Sequence, residues 1–117
     1  MTRVLHLSTY GANSGAGIAA LRLLEAERSY GLDAELLLMA PSSEPLAGVH
    51  ALSNDRRLYR AWQCKLWSER ALVALLNGFN REQTFKTSLS WLGISMSTLR
   101  PYLTNVDVIH LHWTQHA

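Results

Sequence analysis

The first forty residues alternate between short apolar runs and segments of small or polar residues. Residues 3–8 (RVLHLS) predict a buried strand, and residues 16–30 carry apolar side chains at helical spacing. Gly31 follows them, as is typical after the end of a helix. The run LLLM within residues 33–40 predicts a second strand covered on both faces, as in a parallel sheet, and Pro41 ends it. This order predicts a right-handed βαβ unit.

The remaining pattern predicts further elements of the same kind. They are a short strand at residues 49–53, one long helix or two short ones at 55–77 ended by Gly78, a helix at 95–103, and a buried strand at 106–113 (VDVIHLHW). The intervening segments are polar and irregular. The predicted fold class is therefore α/β, a partial Rossmann-like three-layer domain with a parallel sheet.

The composition limits the class of protein without identifying it. The chain has 117 residues, 48% of them hydrophobic, with 11 basic against 9 acidic residues, which fits one small domain and gives no argument for a nucleic-acid partner. A single cysteine, Cys64, excludes an internal disulfide framework and fits a reducing compartment. We find no signal-peptide pattern and no run of about eighteen apolar residues, so we expect a soluble, cytoplasmic protein.

Residues 8–21 (STYGANSGAGIAAL) place several small residues between the first strand and the first helix. The free N–H groups and the dipole of a helix N-terminus attract anions, and glycine lets a phosphate approach the backbone closely. The turn therefore favours an anion site at the start of the helix. The other interpretation is that Gly15 and Gly17 only permit a tight turn and close packing of the helix on the sheet.

Residues 15–20 (GAGIAA) also match the dinucleotide-binding pattern G-x-G-x-x-[GA]. A Rossmann-type NAD site needs an acidic residue at the end of the second strand to bind the ribose. That strand ends in LMAP, whereas Asp33 and Glu35 lie at its start. NAD binding is therefore only a weak alternative, and no Gly-Lys-Ser/Thr follows the glycines as a P-loop would require.

Residues 107–117 (DVIHLHWTQHA) contain three of the five histidines. His110 and His112 are two residues apart in a predicted strand, so their side chains point to the same face. Two imidazoles are compatible with a metal site, but no third ligand is evident at a suitable spacing, and packed histidines are the other interpretation. We therefore expect no metal.

Ligands of open α/β sheets bind outside the carboxyl ends of the strands. Tyr10 and the glycine turn follow the first strand, and Trp113 follows the last one. We therefore predict that both segments lie at one rim of the sheet, where they form a single binding site.

Three segments resemble the N-terminal part of GT-B glycosyltransferases, in the retaining, nucleotide-sugar-dependent group (glycosyltransferase family 4-like). Residues 3–40 are similar to this group's opening strand, Gly-Gly-Ala turn, helix with AA-x-RL, glycine and second strand, although Ser14 stands where the group often has its first glycine. Residues 106–115 (VDVIHLHWTQ) resemble the group's aDviHlHW strand, and residues 79–95 its variable segment.

The resemblance implies that residues 1–117 are an incomplete N-terminal, acceptor-side domain, with the donor domain and the strand of the usual catalytic histidine still to follow. It implies transfer of a hexosyl group with retention from a nucleotide-sugar, which is a substrate and not a cofactor, to a cell-surface polysaccharide or lipid-linked acceptor. No metal is implied, and we expect the isolated chain to be inactive. A free-standing Rossmann-like binding module without catalysis is the alternative.

The resemblance also assigns residues to the two substrates. Gly15, with Ala16 and Gly17, is expected to contact the donor diphosphate. The residues expected on the acceptor side are Tyr10, His110, His112 and Trp113. For Trp113, stacking on a sugar ring and ordinary packing both remain open.

Residues 55–76 combine an apolar helical face with five basic residues, which are Arg56, Arg57, Arg60, Lys65 and Arg70. One interpretation is a helix that contacts the inner face of the membrane through anionic lipid. The other is a helix that covers the sheet and has a solvated charged side. We also expect an incomplete domain to associate with itself through apolar surface that the missing half would cover.

Overall fold

The structure is a computed structural model that describes residues 1–40, 42, 46–80 and 95–112. Within these ranges, four strands form one parallel sheet with helices on both faces. The strands are β1 (Arg3–Ser8), β2 (Asp33–Leu38), β3 (Val49–Ala51) and β4 (Val108–Leu111), and the helices are α1 (Gly15–Ser29), α2 (Arg56–Leu76) and α3 (Met96–Leu103). The sheet order β3-β2-β1-β4 confirms the predicted α/β fold class, a partial Rossmann-like domain.

Each face of the sheet has its own apolar core, because alternate residues of β1 and β2 point to opposite faces. On one face, Val4 and Leu36 pack against Leu24 of α1. On the other face, Leu5 and Leu37 belong to a core against which α2 and α3 pack side chains. Helices on both sides explain the continuous apolar run in β2, whose burial on both faces is confirmed.

Capping residues account for both ends of helix α1, of which Gly31 was predicted from the sequence. Its N-cap residue is Ser14, whose Oγ accepts a hydrogen bond from the Gly17 N–H at 3.0 Å. Past its other end, Gly31 has a φ of 85°, and the Leu32 N–H bonds to the Glu27 carbonyl at 3.1 Å. This arrangement confirms Gly31 as the residue that ends the helix, since the left-handed region favours glycine.

Segment 55–77 forms one long helix, α2, which Asp55 caps by accepting from the Arg57 N–H at 2.8 Å. Leu66 is buried in it, whereas Leu76 near its end is 76% exposed. The last turn of α2 is not covered by the described part of the chain. Contact of the basic side of α2 with a membrane surface stays a prediction. Among the described residues, no helix combines the length and apolar character that crossing a bilayer requires.

The predicted strand near the end of the chain is confirmed as β4, but its predicted burial is wrong. Val108, Ile109 and Leu111 are 47%, 50% and 61% exposed. β4 pairs with β1 along one edge, and within the described ranges no strand pairs with its other edge. An apolar run predicts a strand, but its position inside or at the edge of a sheet depends on neighbours that the run does not encode.

Candidate functional site

The carboxyl ends of β1 and β4 lie side by side, because the two strands are parallel neighbours. The sheet order reverses between them, since β2 and β3 lie on one side of β1 and β4 on the other. Such a topological switch point is where ligands bind in open α/β sheets. The glycine turn leaves β1 at this rim, and His112 leaves β4 there, with its N–H bonded to the Leu7 carbonyl at 2.9 Å. The carboxyl ends of β1 and β4 therefore share one edge of the sheet, as predicted. A single binding site at this rim stays a prediction, and Trp113 lies outside the described residues.

Gly17 allows the first turn of α1 to pass close to the preceding loop. A Cβ at this position would overlap the carbonyl oxygen of Gly11 and lie 2.5 Å from the carbonyl oxygen of Tyr10. The Gly17 amide already donates to Ser14. Gly17 therefore has a packing role, as the second interpretation of the turn requires.

Gly15 differs from Gly17, because a Cβ at Gly15 would meet no atom of the described residues within 4 Å. The Gly15 and Ala16 amides come before the first intrahelical hydrogen bond, which the Ile18 N–H makes to the Ser14 carbonyl at 2.9 Å. No acceptor for these two amides is found in the described part of the chain. Of the three residues predicted to contact an anion, only Gly15 and Ala16 therefore have amides without an acceptor in the described part of the chain. Both amides lie at the positive end of the helix dipole.

Three imidazoles converge on the face of the sheet that α1 covers. His6 in β1 is 0% exposed and is the register partner of His110 in β4. The rings of His110 and His112 stack with centroids 4.3 Å apart, which confirms that both point to the same face. His6 Nδ1 lies 3.0 Å from His112 Nε2, and one ring nitrogen from each of the three residues lies within 4.8 Å of the others. We call these residues the histidine cluster.

Glu27 of α1 determines which nitrogen of His6 carries the proton. Its Oε2 lies 2.7 Å from His6 Nε2. A carboxylate only accepts hydrogen bonds, so His6 donates from Nε2 and presents the lone pair of Nδ1 to His112. With His6 neutral, the His112 Nε2–H donates to this lone pair. The buried His6 is therefore hydrogen-bonded at both ring nitrogens.

The environment lowers the pKa of His112 below its ordinary value of 6.5. Burial is the largest cause, followed by repulsion from the charged forms of His110 and His6, while Glu27 acts in the opposite direction. His112 is therefore neutral at neutral pH and has a lone pair available on one ring nitrogen.

We expect acidification to destabilise the fold through His112. Because the pKa is lower in the folded state than in the unfolded state, the unfolded chain binds more protons as the pH falls below 6.5, and the free energy of unfolding decreases. Urea unfolding at about pH 7.5 and about pH 5.5 should show a smaller loss of stability in His112→Asn than in the parent. An equal loss in both proteins would contradict this assignment.

The sequence spacing does not reveal two members of this arrangement, His6 and Glu27. His6 lies 106 residues before His112 and reaches it only through the pairing of β1 with β4. A histidine in the middle of an apolar strand was the one available signal for His6. The argument that no third ligand accompanies His110 and His112 therefore fails.

Tyr10 is half-buried at the rim, and Trp113 lies outside the described residues.

A separate cleft lies on the opposite face of the sheet, between β2, α2 and α3. It offers about 420 Å³ of space, part of it open to solvent. Its lining includes Met39, Leu52, Leu58, Trp62 and Thr98. This lining is mainly apolar, with Lys65 as its charged member.

The fold and the rim define a class of protein, a partial Rossmann-like α/β domain with a switch point between β1 and β4. No family model, curated protein or solved structure matches the chain. The particular function is therefore a proposal based on the geometry of the rim and on the resemblance of the sequence segments that form it.

Proposed function

We propose that this chain is the acceptor-side, N-terminal domain of a nucleotide-sugar-dependent glycosyltransferase of the GT-B class. The whole enzyme transfers a hexosyl group, with retention of configuration, to a cell-surface polysaccharide or a lipid-linked acceptor. The resemblance of residues 3–40 and 106–115 supports the class. The parallel sheet that joins these two segments as neighbouring strands is compatible with it.

The observation that carries the proposal is the open space beside Gly15 at the start of α1, next to the switch point. Gly15 presents its amide at the rim, and no atom of the described residues lies in the space where a side chain would be. The first turn of α1 contains no acidic residue that would occupy or neutralise this site. A diphosphate can therefore approach the amides of Gly15 and Ala16 closely.

The proposed role of the amides in sugar transfer follows from the position of the negative charge that develops during the reaction. When the bond between the sugar and the diphosphate breaks, charge accumulates on the diphosphate oxygens. Fixed N–H donors at the positive end of a helix stabilise that charge without having to reorganise. We assign this role to Gly15 and Ala16. We assign the acceptor side to Tyr10, His110, His112 and Trp113.

The test is the substitution Gly15→Asp in the full reading frame that contains this chain, with Gly15→Ala as the control. The aspartate carboxylate enters open space and suits the start of a helix, so the fold is retained. Its charge repels the diphosphate, and we expect kcat/KM for the nucleotide-sugar to fall by about tenfold or more, which corresponds to about 1.4 kcal/mol. Gly15→Ala should keep most of the activity.

Parent-like kinetics in Gly15→Asp would remove the phosphate role from this turn. The reading frame itself provides a second check. A continuation by a further α/β domain of roughly 200 residues supports the enzyme. Absence of nucleotide-sugar turnover in the complete protein would favour a binding module without catalysis.

A further inference from the structure

We propose that His6, His110 and His112 form a site for a divalent transition metal ion of the zinc class, with Glu27 orienting His6. This inference goes beyond the proposed glycosyl transfer, for which no metal is implied. It depends on the convergence of three imidazoles from two strands, with one ring nitrogen from each within 4.8 Å of the others.

The donor set is the first argument for such an ion. Imidazole nitrogen is a preferred ligand of Zn²⁺, Co²⁺, Ni²⁺ and Cu²⁺, and three histidines with one open position form a well-known type of zinc site. Magnesium and calcium prefer oxygen ligands. The cluster therefore selects for a transition metal ion.

The distances are the second argument. Metal–nitrogen bonds of about 2.0–2.1 Å at tetrahedral angles place two ligand nitrogens roughly 3.3 Å apart. His6 Nδ1 and His112 Nε2 are already 3.0 Å apart. His112 is half-buried and His110 is exposed, so their rings are free to reorient toward an ion, whereas the buried His6 is held in place.

Glu27 is the third argument, because it already holds His6 in the form that a metal requires. Metal-binding histidines commonly donate their other N–H to a carboxylate, which fixes the ring and raises its basicity. Glu27 accepts from His6 Nε2 at 2.7 Å, so the Nδ1 of His6 is the nitrogen that faces the cluster and would bind the ion. Its negative charge also offsets part of the charge of a divalent cation.

Proton balance is maintained when the ion binds. In the metal-free state, His112 carries its proton on Nε2 and donates it to His6 Nδ1. On binding, His112 carries the proton on Nδ1, and both nitrogens that shared the hydrogen bond become ligands. A neutral imidazole makes this change of tautomer without gaining or losing a proton.

The site is accessible from solvent and connects two strands. His110 is exposed, so an ion can enter without opening the core, and a fourth position remains for water or another ligand. Bound metal would link β1 to the exposed edge strand β4. We therefore expect binding to raise the stability of the domain.

The experiment is a metal titration of the purified chain, prepared without a histidine tag and stripped with a chelator. Co²⁺ is added first, because its visible absorption reports tetrahedral nitrogen coordination, and Zn²⁺ is then added to displace it. Parallel titrations use His110→Asn and His112→Asn. His50→Asn is the matched control, because His50 lies on β3 outside the cluster, and His116→Asn removes the remaining histidine.

We expect one equivalent of Co²⁺ per parent chain, displaced by Zn²⁺, and a higher melting temperature with Zn²⁺. Affinity should be at least about tenfold weaker in both cluster variants, since each loses a ligand, and unchanged in the two controls. His110 is exposed on an edge strand, so its variant is expected to fold, which circular dichroism checks.

The proposal is overturned if the parent takes up no stoichiometric Co²⁺, or if His110→Asn binds as tightly as the parent. Loss of binding in His116→Asn with full binding in His110→Asn also overturns it. None of these readouts uses sugar transfer. Failure of the metal site and failure of the glycosyltransferase proposal are therefore distinguishable.

Discussion

Gly17→Ala is expected to lower the free energy of unfolding by about 3 kcal/mol or more, the largest single effect that we predict. The new methyl group overlaps the Gly11 carbonyl oxygen and lies 2.5 Å from the Tyr10 carbonyl oxygen. These are backbone atoms of the turn that leaves β1, so they cannot rotate away as a flexible side chain would. The start of α1 has to move off the sheet, and the packing of Leu24 against Val4 weakens with it.

Gly15→Ala is the matched control, because it adds the same methyl group two residues earlier in open space. Alanine in a helix restricts the unfolded chain more than glycine does, so we expect no change or a gain of up to about 1 kcal/mol. Urea unfolding followed by circular dichroism measures both variants. If Gly17→Ala proves as stable as Gly15→Ala, the close approach of α1 to the turn is wrong.

Glu27→Leu is expected to cost about 1–3 kcal/mol, the second-largest effect. His6 is 0% exposed, and Glu27 is the acceptor for its Nε2–H. Leucine fills a similar volume but cannot accept a hydrogen bond, which leaves a buried donor without its partner. The cost comes from that unmet donor rather than from a surface ion pair, which contributes little.

The substitution Glu27→Gln distinguishes the contribution of the hydrogen bond to stability from that of the carboxylate charge. The amide oxygen of glutamine can still accept from His6 Nε2, so we expect most of the stability to be kept. Chemical denaturation of the two variants under metal-free conditions provides the comparison. Equal losses in both would contradict the hydrogen-bond explanation and point to the carboxylate charge instead.

The local elements near the start of the chain could be predicted because their signals are local. The apolar run RVLHLS, the helical spacing of residues 16–30 and the terminating Gly31 each act through contacts within a few residues, and β1 and α1 form close to where they indicate. The exposure of β4 and of Leu76 could not be predicted in this way. Burial depends on which elements lie on either side, and an apolar pattern is the same in both cases.

The two glycines of the turn also show what the sequence alone cannot predict. In the sequence, Gly15 and Gly17 are equivalent parts of one motif, and both the anion-binding and the packing interpretation apply to each. In the folded chain, a Cβ at Gly17 would overlap backbone atoms, whereas one at Gly15 would meet none. The packing role and the proposed anion role therefore belong to different residues.

The sequence by itself determined the α/β class, the extent of α1 and the common face of His110 and His112, because helical and strand periodicity are local properties. Only the tertiary structure decided that His6 and Glu27 join them. Parallel pairing of β1 with β4 brings together residues about a hundred positions apart, and the packing of α1 on the sheet places Glu27 beside His6. These contacts arise from register and packing, which no short segment of the chain encodes.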